Sequence, residues 1–410
     1  LVEYNFALII TLIAIISSVF FSWVYFLVYS IKSLIQVPKL QSFIASKKNI
    51  VFSKVSIIVP ARNEEKYIEK CLETLIEQDY SNYEIVVIND SSSDRTAEII
   101  KNYSITNSRV VYVNAEPKPD DWTGKNWACH QGYLKSTGDL FLFTDADTIH
   151  SLTSISLAVN HFLAEELDAL TAMPKILTTD FWTKITLPIL WTLSLARYSA
   201  LKANNPNSKI GYLFGSFFII TRKTYEAIGT HKAVREEIVE DGALGRKVKE
   251  KGFKLKVVNG KDHIEALWAR DPSTLWHGLG RLMISIYKRE KIKAYLMVIA
   301  TFLLLLLPLI VLPFSIMSMV LQQEHSTDYM TNLNLVLLSL AITSILLLII
   351  TSILHLKYLI VQNIFYSVAF PLACTFVFIA FLTSIINSAY KHTVNWKDRK
   401  YTIKENQRTI

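Results

Sequence analysis

Four stretches of the chain, 6–31, 294–321, 333–354 and 364–386, contain no Asp, Glu, Lys or Arg and are rich in Leu, Ile, Val and Phe. Each exceeds the ~20 apolar residues that a helix needs to cross ~30 Å of hydrocarbon, so each predicts a transmembrane helix rather than a core helix. Between the first and second stretches, apolar positions recur on the short periods of globular structure, over a length that can bury a core of its own. The pattern therefore divides the chain into an N-terminal anchor (1–31), a domain (32–293), a C-terminal membrane region of two or three helices (294–390) and a basic tail (391–410).

Within the domain, Val55, Ser56, Ile57, Ile58 and Val59 make a short apolar run that Pro60 stops. Over 64–78, Ile68, Leu72, Leu75 and Ile76 then fall at helical spacing. The alternation continues with a strand at 84–89, a helix at 94–103, a strand at 109–113, a helix at 125–135 and a strand at 140–144. Continuously apolar, β-branched strands separated by helices predict an α/β fold whose parallel sheet is covered on both faces through right-handed crossovers. Ligands of such sheets sit beyond the carboxyl ends of the strands. That rule draws attention to Pro60 to Glu64, Asp90, Asn114 to Lys125, and Asp145 to Asp147. A further segment, 181–202, has the aromatic and apolar bulk of Trp182, Ile185, Leu190, Trp191, Leu193 and Leu195, but Lys184, Arg197 and Lys202 interrupt it. It is too charged to span and reads as an interfacial helix or, equally by pattern, a buried helix of the domain.

Composition agrees with this mixture: 51% of the 410 residues are hydrophobic and 19% charged, with a mean hydropathy of +0.29. The net charge of +8, from 43 basic and 35 acidic residues, sits beside the apolar stretches rather than among aromatics on one domain face, so no nucleic-acid partner is expected. Lys32, Lys39, Lys47, Lys48 and Lys54 follow the first stretch, and Arg281, Lys288, Arg289, Lys291 and Lys293 precede the second. By the positive-inside rule the 32–293 domain faces the cytoplasm. The same rule keeps the tail, with Lys391, Lys397, Arg399, Lys400, Lys404 and Arg408, on the inside, whereas four spans would place it outside. Three or four spans are therefore expected, with 364–386 and its internal Pro371 as the stretch that could be re-entrant. The first stretch follows Glu3 rather than a basic region and precedes no small-residue cleavage site, which reads as an uncleaved anchor. Cys71, Cys129 and Cys374 lack CxxC spacing, which removes a disulfide framework and a zinc cluster. No repeat or low-complexity tract is present, which removes solenoid and fibrous readings.

The chemistry at the strand ends is uneven. Asn89, Asp90, Ser91, Ser92, Ser93 and Asp94 follow the second strand. Asp94 and the serines suit helix capping, while Asp90 suits either a cap or a hydrogen bond to a base or ribose. Asp145 and Asp147, two residues apart after the fourth strand, form a hard-oxygen pair suited to Mg2+ or Mn2+ on a diphosphate, although turns are also rich in Asp. Glu240 and Asp241 could equally be part of a solvated helical face. His130, His231, His263 and His277 show no tight metal spacing and read as structural or interfacial, with His231 the candidate exception.

In order, Val-Ser-Ile-Ile-Val-Pro60-Ala-Arg-Asn-Glu64, Val-Val-Ile-Asn-Asp90-Ser-Ser-Ser-Asp94-Arg-Thr, Thr-Asp145-Ala-Asp147-Thr and Val-Glu240-Asp241-Gly-Ala-Leu-Gly resemble the motifs of inverting family 2 glycosyltransferases over roughly 55–281. Trp122-Thr-Gly124-Lys125-Asn-Trp127-Ala128 and Gly229-Thr-His231 resemble the membrane-bound subgroup that glycosylates hopanoid and carotenoid-type lipids. The resemblance implies a nucleotide-binding GT-A sandwich with a mostly parallel sheet. It also implies that Pro60, Ala61, Arg62, Glu64 and Asp90 line the nucleotide, that Gly124 and Lys125 approach base or diphosphate, and that Asp145 and Asp147 form the metal motif for Mg2+ or Mn2+. Asp241 becomes the general base, with Glu240 beside it. The Gln-x-x-Arg-Trp motif of processive relatives is absent; in its place stands Trp276-His-Gly-Leu-Gly-Arg281. There Arg281 would bind diphosphate and Trp276 would pack on the acceptor, unless Arg281 is an interfacial anchor. The expected partners are a UDP- or GDP-sugar donor, a membrane lipid acceptor and the bilayer itself. A polyprenyl-phosphate sugar synthase and a catalytically silent membrane scaffold remain as alternatives.

Overall fold

The computed structural model describes residues 2–41, 53–195, 199–321, 328–391, 393–396 and 399–402. Lys47, Lys48, Arg197, Glu324, Lys397, Lys404 and Arg408 lie outside the described residues. The order begins with helix α1 (Val2–Gln36), β1 (Val55–Ala61), α2 (Ile68–Ile76), β2 (Tyr83–Asn89), α3 (Thr96–Thr106), β3 (Val110–Asn114), α4 (Gly124–Lys135) and β4 (Leu140–Phe143). It continues with β5 (Thr148–His150), α5 (Ser154–Ala164), β6 (Ala169–Met173), β7 (Lys175–Leu177), α6 (Phe181–Leu195), α7 (Ala200–Asn204), β8 (Phe218–Thr221) and α8 (Arg222–Ala227). Next come α9 (Glu240–Glu250), β9 (Leu255–Asn259), β10 (Ile264–Leu267) and α10 (Pro272–Arg289), followed by α11 (Lys291–Thr301), α12 (Leu307–Leu321), α13 (Asp328–His355) and α14 (Phe370–Lys391). A hairpin of β11 (Thr393–Trp396) and β12 (Arg399–Thr402) closes the described chain.

One seven-stranded sheet, ordered β3-β2-β1-β4-β8-β6-β9, organises the domain. The four strands anticipated from their apolar runs pair in parallel, with Pro60 opposite Ile88 and Ala61 opposite Asn89. The later part departs from a purely parallel sheet, because β8 runs antiparallel to both β4 and β6. Its residues leave the loop 205–217 in the reverse direction, so the end of β4 and the start of β8 meet at one edge of the site. Both faces are covered: one apolar cluster joins Ile57, Val59, Ile68 and Leu72, the other Ile58, Val86, Phe141 and Tyr225. A smaller sheet, β5-β10-β7, supports the segment that leads into α10.

Four helical stretches, Phe6–Gln36, Lys291–Val320, Tyr329–Ile360 and Ile364–Ala389, are long and apolar enough to cross a membrane. The first reaches Gln36, five residues past the charge-free window. In the second, a π-helical segment, Phe302–Leu306, joins α11 to α12, and the Trp23 indole of α1 donates to the Leu304 carbonyl at 3.0 Å. A wider turn leaves carbonyls without their usual partner, and an indole N–H is suited to meet one. Pro371 falls in the first turn of α14, where a missing N–H costs nothing, and the helix runs on to Lys391.

Helix α6 does not stand apart from these stretches. Its Ile185, Leu187, Ile189, Leu190 and Leu193 are buried in the same apolar cluster as Ile16, Trp23, Leu275, Leu279 and Phe381. Trp182 stacks on Phe376 at 5.1 Å between ring centroids, and Lys184 keeps its charge at the rim over the Tyr366 ring. Domain and apolar helices are also joined at the sheet edge, where Leu40 donates its N–H to the Asn259 carbonyl and Asn259 donates to that of Pro38, both at 2.8 Å.

Candidate functional site

Beyond the ends of β1, β2 and β4, one cavity of about 880 Å3 opens. Pro60, Ala61, Arg62, Glu64, Asp90, Gly124, Lys125, Asp145, Asp147, Glu240, Asp241 and Arg281 all line it. Residues separated by up to 221 positions in the sequence are therefore brought to one place by the strand ends, by the first turns of α4 and α9, and by α10, which carries Arg281.

The loop after β1 is held by local chemistry. Asn63 and Ser91 both have positive φ, 52° and 54°, a conformation that costs a non-glycine residue free energy unless its surroundings fix it. Here the two loops fix each other. Arg62 donates to the carbonyls of Asp90 at 2.8 Å and Ser91 at 2.9 Å, and the Asn63 N–H donates to Ser92 Oγ at 3.1 Å. Asp94, two residues before α3, accepts from the Thr96 N–H at 3.0 Å and from the Glu65 N–H at 3.1 Å; the N-cap itself is Arg95. Asp90 stays buried at the cavity wall.

At the centre, Lys125 Nζ lies 2.7 Å from Asp145 Oδ1 and 2.7 Å from Glu240 Oε1. Burial works to lower the Lys125 pKa, but Asp145, Glu240 and Asp241 overcome it and hold the ammonium well above its usual value. Asp241 accepts the Gly215 N–H at 2.9 Å on one oxygen and the Gly242 N–H at 2.6 Å on the other. Burial and the neighbouring Glu240 still push it up to about 7, against the pull of Lys125. Burial and Asp145 likewise push Asp147 up to about 6, against the nearby Arg270. Arg281 is lowered by burial, opposed by Glu240, Asp145 and Asp241.

Two participants were not singled out by the sequence. Arg270 bridges Asp147 at 2.5 Å and Glu64 at 2.6 Å while its guanidinium stacks 4.4 Å above the Tyr67 ring. Its position is set by the start of α10, where Asp271 accepts the Thr274 N–H at 2.8 Å and Thr274 Oγ1 accepts the Asp271 N–H at 3.0 Å. That reciprocal cap with Pro272 is a readable helix start, and an Arg just before it was the available signal. Gly215 is the second: a Cβ there would lie 2.8 Å from Lys125 Nζ, 3.3 Å from Asp241 Oδ2 and 3.5 Å from Asp145 Oδ2. A methyl there would crowd the end of the Lys125 side chain and touch both carboxylates, narrowing the space these three charges face.

Other sequence candidates lie elsewhere. Trp276 is not among the cavity's lining residues; it packs edge-on against Phe376 at 5.2 Å. His277 and Arg281, one turn apart, line the cavity instead. His231 is buried behind the site, 2.5 Å from the Tyr225 hydroxyl, and burial lowers it to about 3. Among the described residues, no three of His, Cys, Asp and Glu converge to hold a metal ion by themselves. The Asp145 and Asp147 carboxylates supply hard oxygens in a half-buried position open to the cavity, with more negative than positive neighbours, which fits a divalent cation completed by ligand phosphates.

Comparison with known proteins is consistent with this geometry. Residues 56–229 match the family model described as Glycosyl transferase family 2. Two proteins named 4,4'-diaponeurosporenoate glycosyltransferase, from Staphylococcus aureus strains bovine RF122 / ET3-1 and USA300, are 29% and 28% identical over 220 residues. Each match covers 53% of this chain and 56% of the relative, so the chain spans about half the length of these curated relatives. A mannosyltransferase from Pyrobaculum calidifontis, solved in complex with GDP-Man and Mn2+, superimposes with a TM-score of 0.54 at 17% identity, covering 92% of this chain and 99% of that one. At that identity the likeness speaks for the fold.

Proposed function

We propose that this chain, whose residues 56–229 match the family 2 glycosyltransferase model and whose fold is of the GT-A type, moves one sugar, with inversion, from a UDP- or GDP-sugar to a membrane lipid at the cytoplasmic face. The observation that carries the reading is the position of Asp241. Its carboxylate is fixed by two backbone N–H groups in a cavity whose other walls come from the apolar helices, including Leu190, Leu359 and Ile360. A base so placed serves an acceptor that approaches from the bilayer.

In the proposed step, Asp241 accepts the proton of the acceptor hydroxyl as its oxygen attacks the anomeric carbon. The bond from that carbon to the donor diphosphate breaks on the opposite face, and the nucleoside diphosphate leaves with the electron pair. Lys125 and Arg281 offset the charge that develops on the leaving group. Asp145 and Asp147 would hold a Mg2+ or Mn2+ ion, which neutralises the diphosphate when bound. Asp90 and the Arg62-braced loop receive the nucleoside. A mannosyltransferase of this fold binds GDP-Man and Mn2+, which supports the donor class; the Staphylococcus relatives are named for a diaponeurosporenoate, which supports an apolar acceptor but, as a carboxylate, would not itself call for a base.

Incubating membranes that contain the protein with radiolabelled UDP- and GDP-sugars, then extracting lipid, tests the reading. Label in a neutral glycolipid is expected; label only in a polyprenyl phosphate would transfer the protein to the sugar-phosphate synthases, and none in any lipid would defeat the proposal. Because the Gln-x-x-Arg-Trp motif is absent, mass spectrometry should find one added sugar per lipid rather than a ladder. Gly215→Ala should weaken nucleotide-sugar binding at least about tenfold, the scale of forcing a methyl into filled space; calorimetry showing unchanged affinity would remove Gly215 from the donor floor. For orientation, Ile105 is 82% exposed on the domain and the three native cysteines are buried. Ile105→Cys should therefore resist an impermeant maleimide in intact cells and react after lysis, whereas labelling in intact cells would reverse the topology.

A further inference from the structure

The cavity that holds Asp241 does not end at the charged residues. It continues between α1, α6 and the end of α13, where Leu187, Leu190, Trp191, Leu195, Leu359 and Ile360 form its walls. A nucleotide-sugar has no use for this second chamber, which is apolar apart from Ser33, Ser194 and two fully buried points.

Both points are polar groups with unmet hydrogen-bonding capacity. Ser30 lines the chamber at 1% exposure, and its hydroxyl has no partner among the described residues. Elsewhere in the same helix, Ser18 and Ser22 satisfy themselves by donating to the carbonyl four residues back, a bond that Ser30 does not make. His355 also lines the chamber at 1% exposure. Its Nδ1 faces the Pro188 carbonyl at 3.2 Å and Thr192 Oγ1 at 2.9 Å, while Thr192 itself donates to the Pro188 carbonyl at 3.0 Å. Carbonyl oxygens only accept, so in the neutral ring Nδ1 carries the proton and Nε2 is an acceptor. Nε2 has no hydrogen bond among the described residues.

The depth is informative as well. Ser30 precedes the end of α1 at Gln36 by six residues, about 9 Å at the usual helical rise, and Pro38 and Leu40 already pair with the sheet edge. The chamber therefore lies just inside the apolar helices, beneath the domain. Cavities that take whole small molecules span roughly 300–1,000 Å3. A cavity of about 880 Å3 that also receives a nucleotide-sugar has room only for the head of a lipid, with the remaining chain leaving between the helices.

We infer that this chamber is the acceptor subsite, and that it selects a slender lipid alcohol whose hydroxyl region is oriented by Ser30 Oγ and His355 Nε2 on its way to Asp241. The inference rests on the proposed transfer to lipid but names the residues that choose the acceptor. Leu190, Leu359 and Ile360 hold the apolar shaft. Ser30 and His355 make a buried alcohol preferable to a plain alkyl chain, since each otherwise leaves a polar atom unpaired in an apolar place.

The test separates binding from turnover. The full-length protein in lipid nanodiscs is irradiated with a long-chain fatty alcohol carrying a diazirine, and labelled peptides are mapped by mass spectrometry. Labelling is expected on peptides of 181–195 and 355–360, to be reduced at least about tenfold by Leu190→Trp, which fills the chamber, and to be competed by the unlabelled alcohol but not by the matching alkane. Nucleotide-sugar affinity should be unchanged in Leu190→Trp, which also reports that the variant is folded. His355→Phe should weaken competition by the alcohol, and His355→Gln, which retains a donor and an acceptor, should restore part of it. Labelling that is indifferent to Leu190→Trp, or equal competition by alcohol and alkane, would overturn the subsite. Chamber labelling in a protein that transfers no sugar to any lipid would leave the subsite standing and overturn the proposed function instead.

Discussion

Asp241→Asn is expected to lower lipid glycosylation by ~10² or more, the usual scale for losing a positioned general base, with nucleotide-sugar affinity nearly unchanged. The two backbone N–H groups that hold Asp241 leave its proton-accepting capacity directed into the cavity. An amide of the same shape can still place a hydroxyl but cannot take its proton. A pH profile sharpens the expectation. Asp241 is pushed up to about 7 by burial and by Glu240, and only its ionised form is a base, so kcat/KM should fall as pH drops through that region. Residual activity of the Asn variant should lack this limb. Equal losses in donor affinity and turnover would assign Asp241 to the donor site, and full turnover would mean that the acceptor needs no base, as a phosphate acceptor would not.

Asp147→Ala is expected to abolish transfer and weaken donor binding together. Asp147 shares Arg270 with Glu64 and lies close enough to Asp145 to be raised by it. Its loss removes half of the hard-oxygen pair and releases the guanidinium onto Glu64 alone. Both the cation that would meet the diphosphate and the geometry of the loop after β1 are then altered. Calorimetry of nucleotide-sugar binding with and without Mn2+ checks this: wild-type affinity should rise with the ion and the variant's should not. Full wild-type activity in excess EDTA would defeat the metal assignment.

The parts of the fold legible in the sequence are those fixed by short-range pattern. The strands β1 and β2 are largely β-branched runs buried on both faces, β3 is a Val-rich edge strand and β4 a buried Leu-Phe run; α2 to α4 alternate with them, so their succession and parallel pairing follow from local sequence. The reversal at β8 is not local. Phe218 to Thr221 is an apolar run like the others, and nothing within it specifies the direction in which it meets β4. The same distinction runs through the site. Asp145, Asp147, Lys125 and Asp241 stand at strand ends or helix starts, where the topology places ligands, and they do line one cavity. Arg270 reaches Asp147 from 123 residues away, a pairing visible only once β10 and α10 are in place. Trp276 illustrates helical phase: it precedes His277 by a single residue, yet that step of 100° turns it toward Phe376 while His277 and Arg281 face the cavity.

The packing of α1 against α13 bears on biosynthesis. Ile9, Ile16, Trp23 and Phe26 of the first helix are buried in the cluster that also includes Leu337, Ala341 and Leu348, and those partners are made more than 300 residues later. At the ~5–20 residues per second of ribosomal synthesis, the first helix waits roughly 15–60 s before its docking surface exists. During that interval its aromatic face is available to other helices or to the insertion machinery. A nascent chain arrested before residue 328 should therefore crosslink from Trp23 to neighbouring membrane proteins, and one released after residue 391 should not.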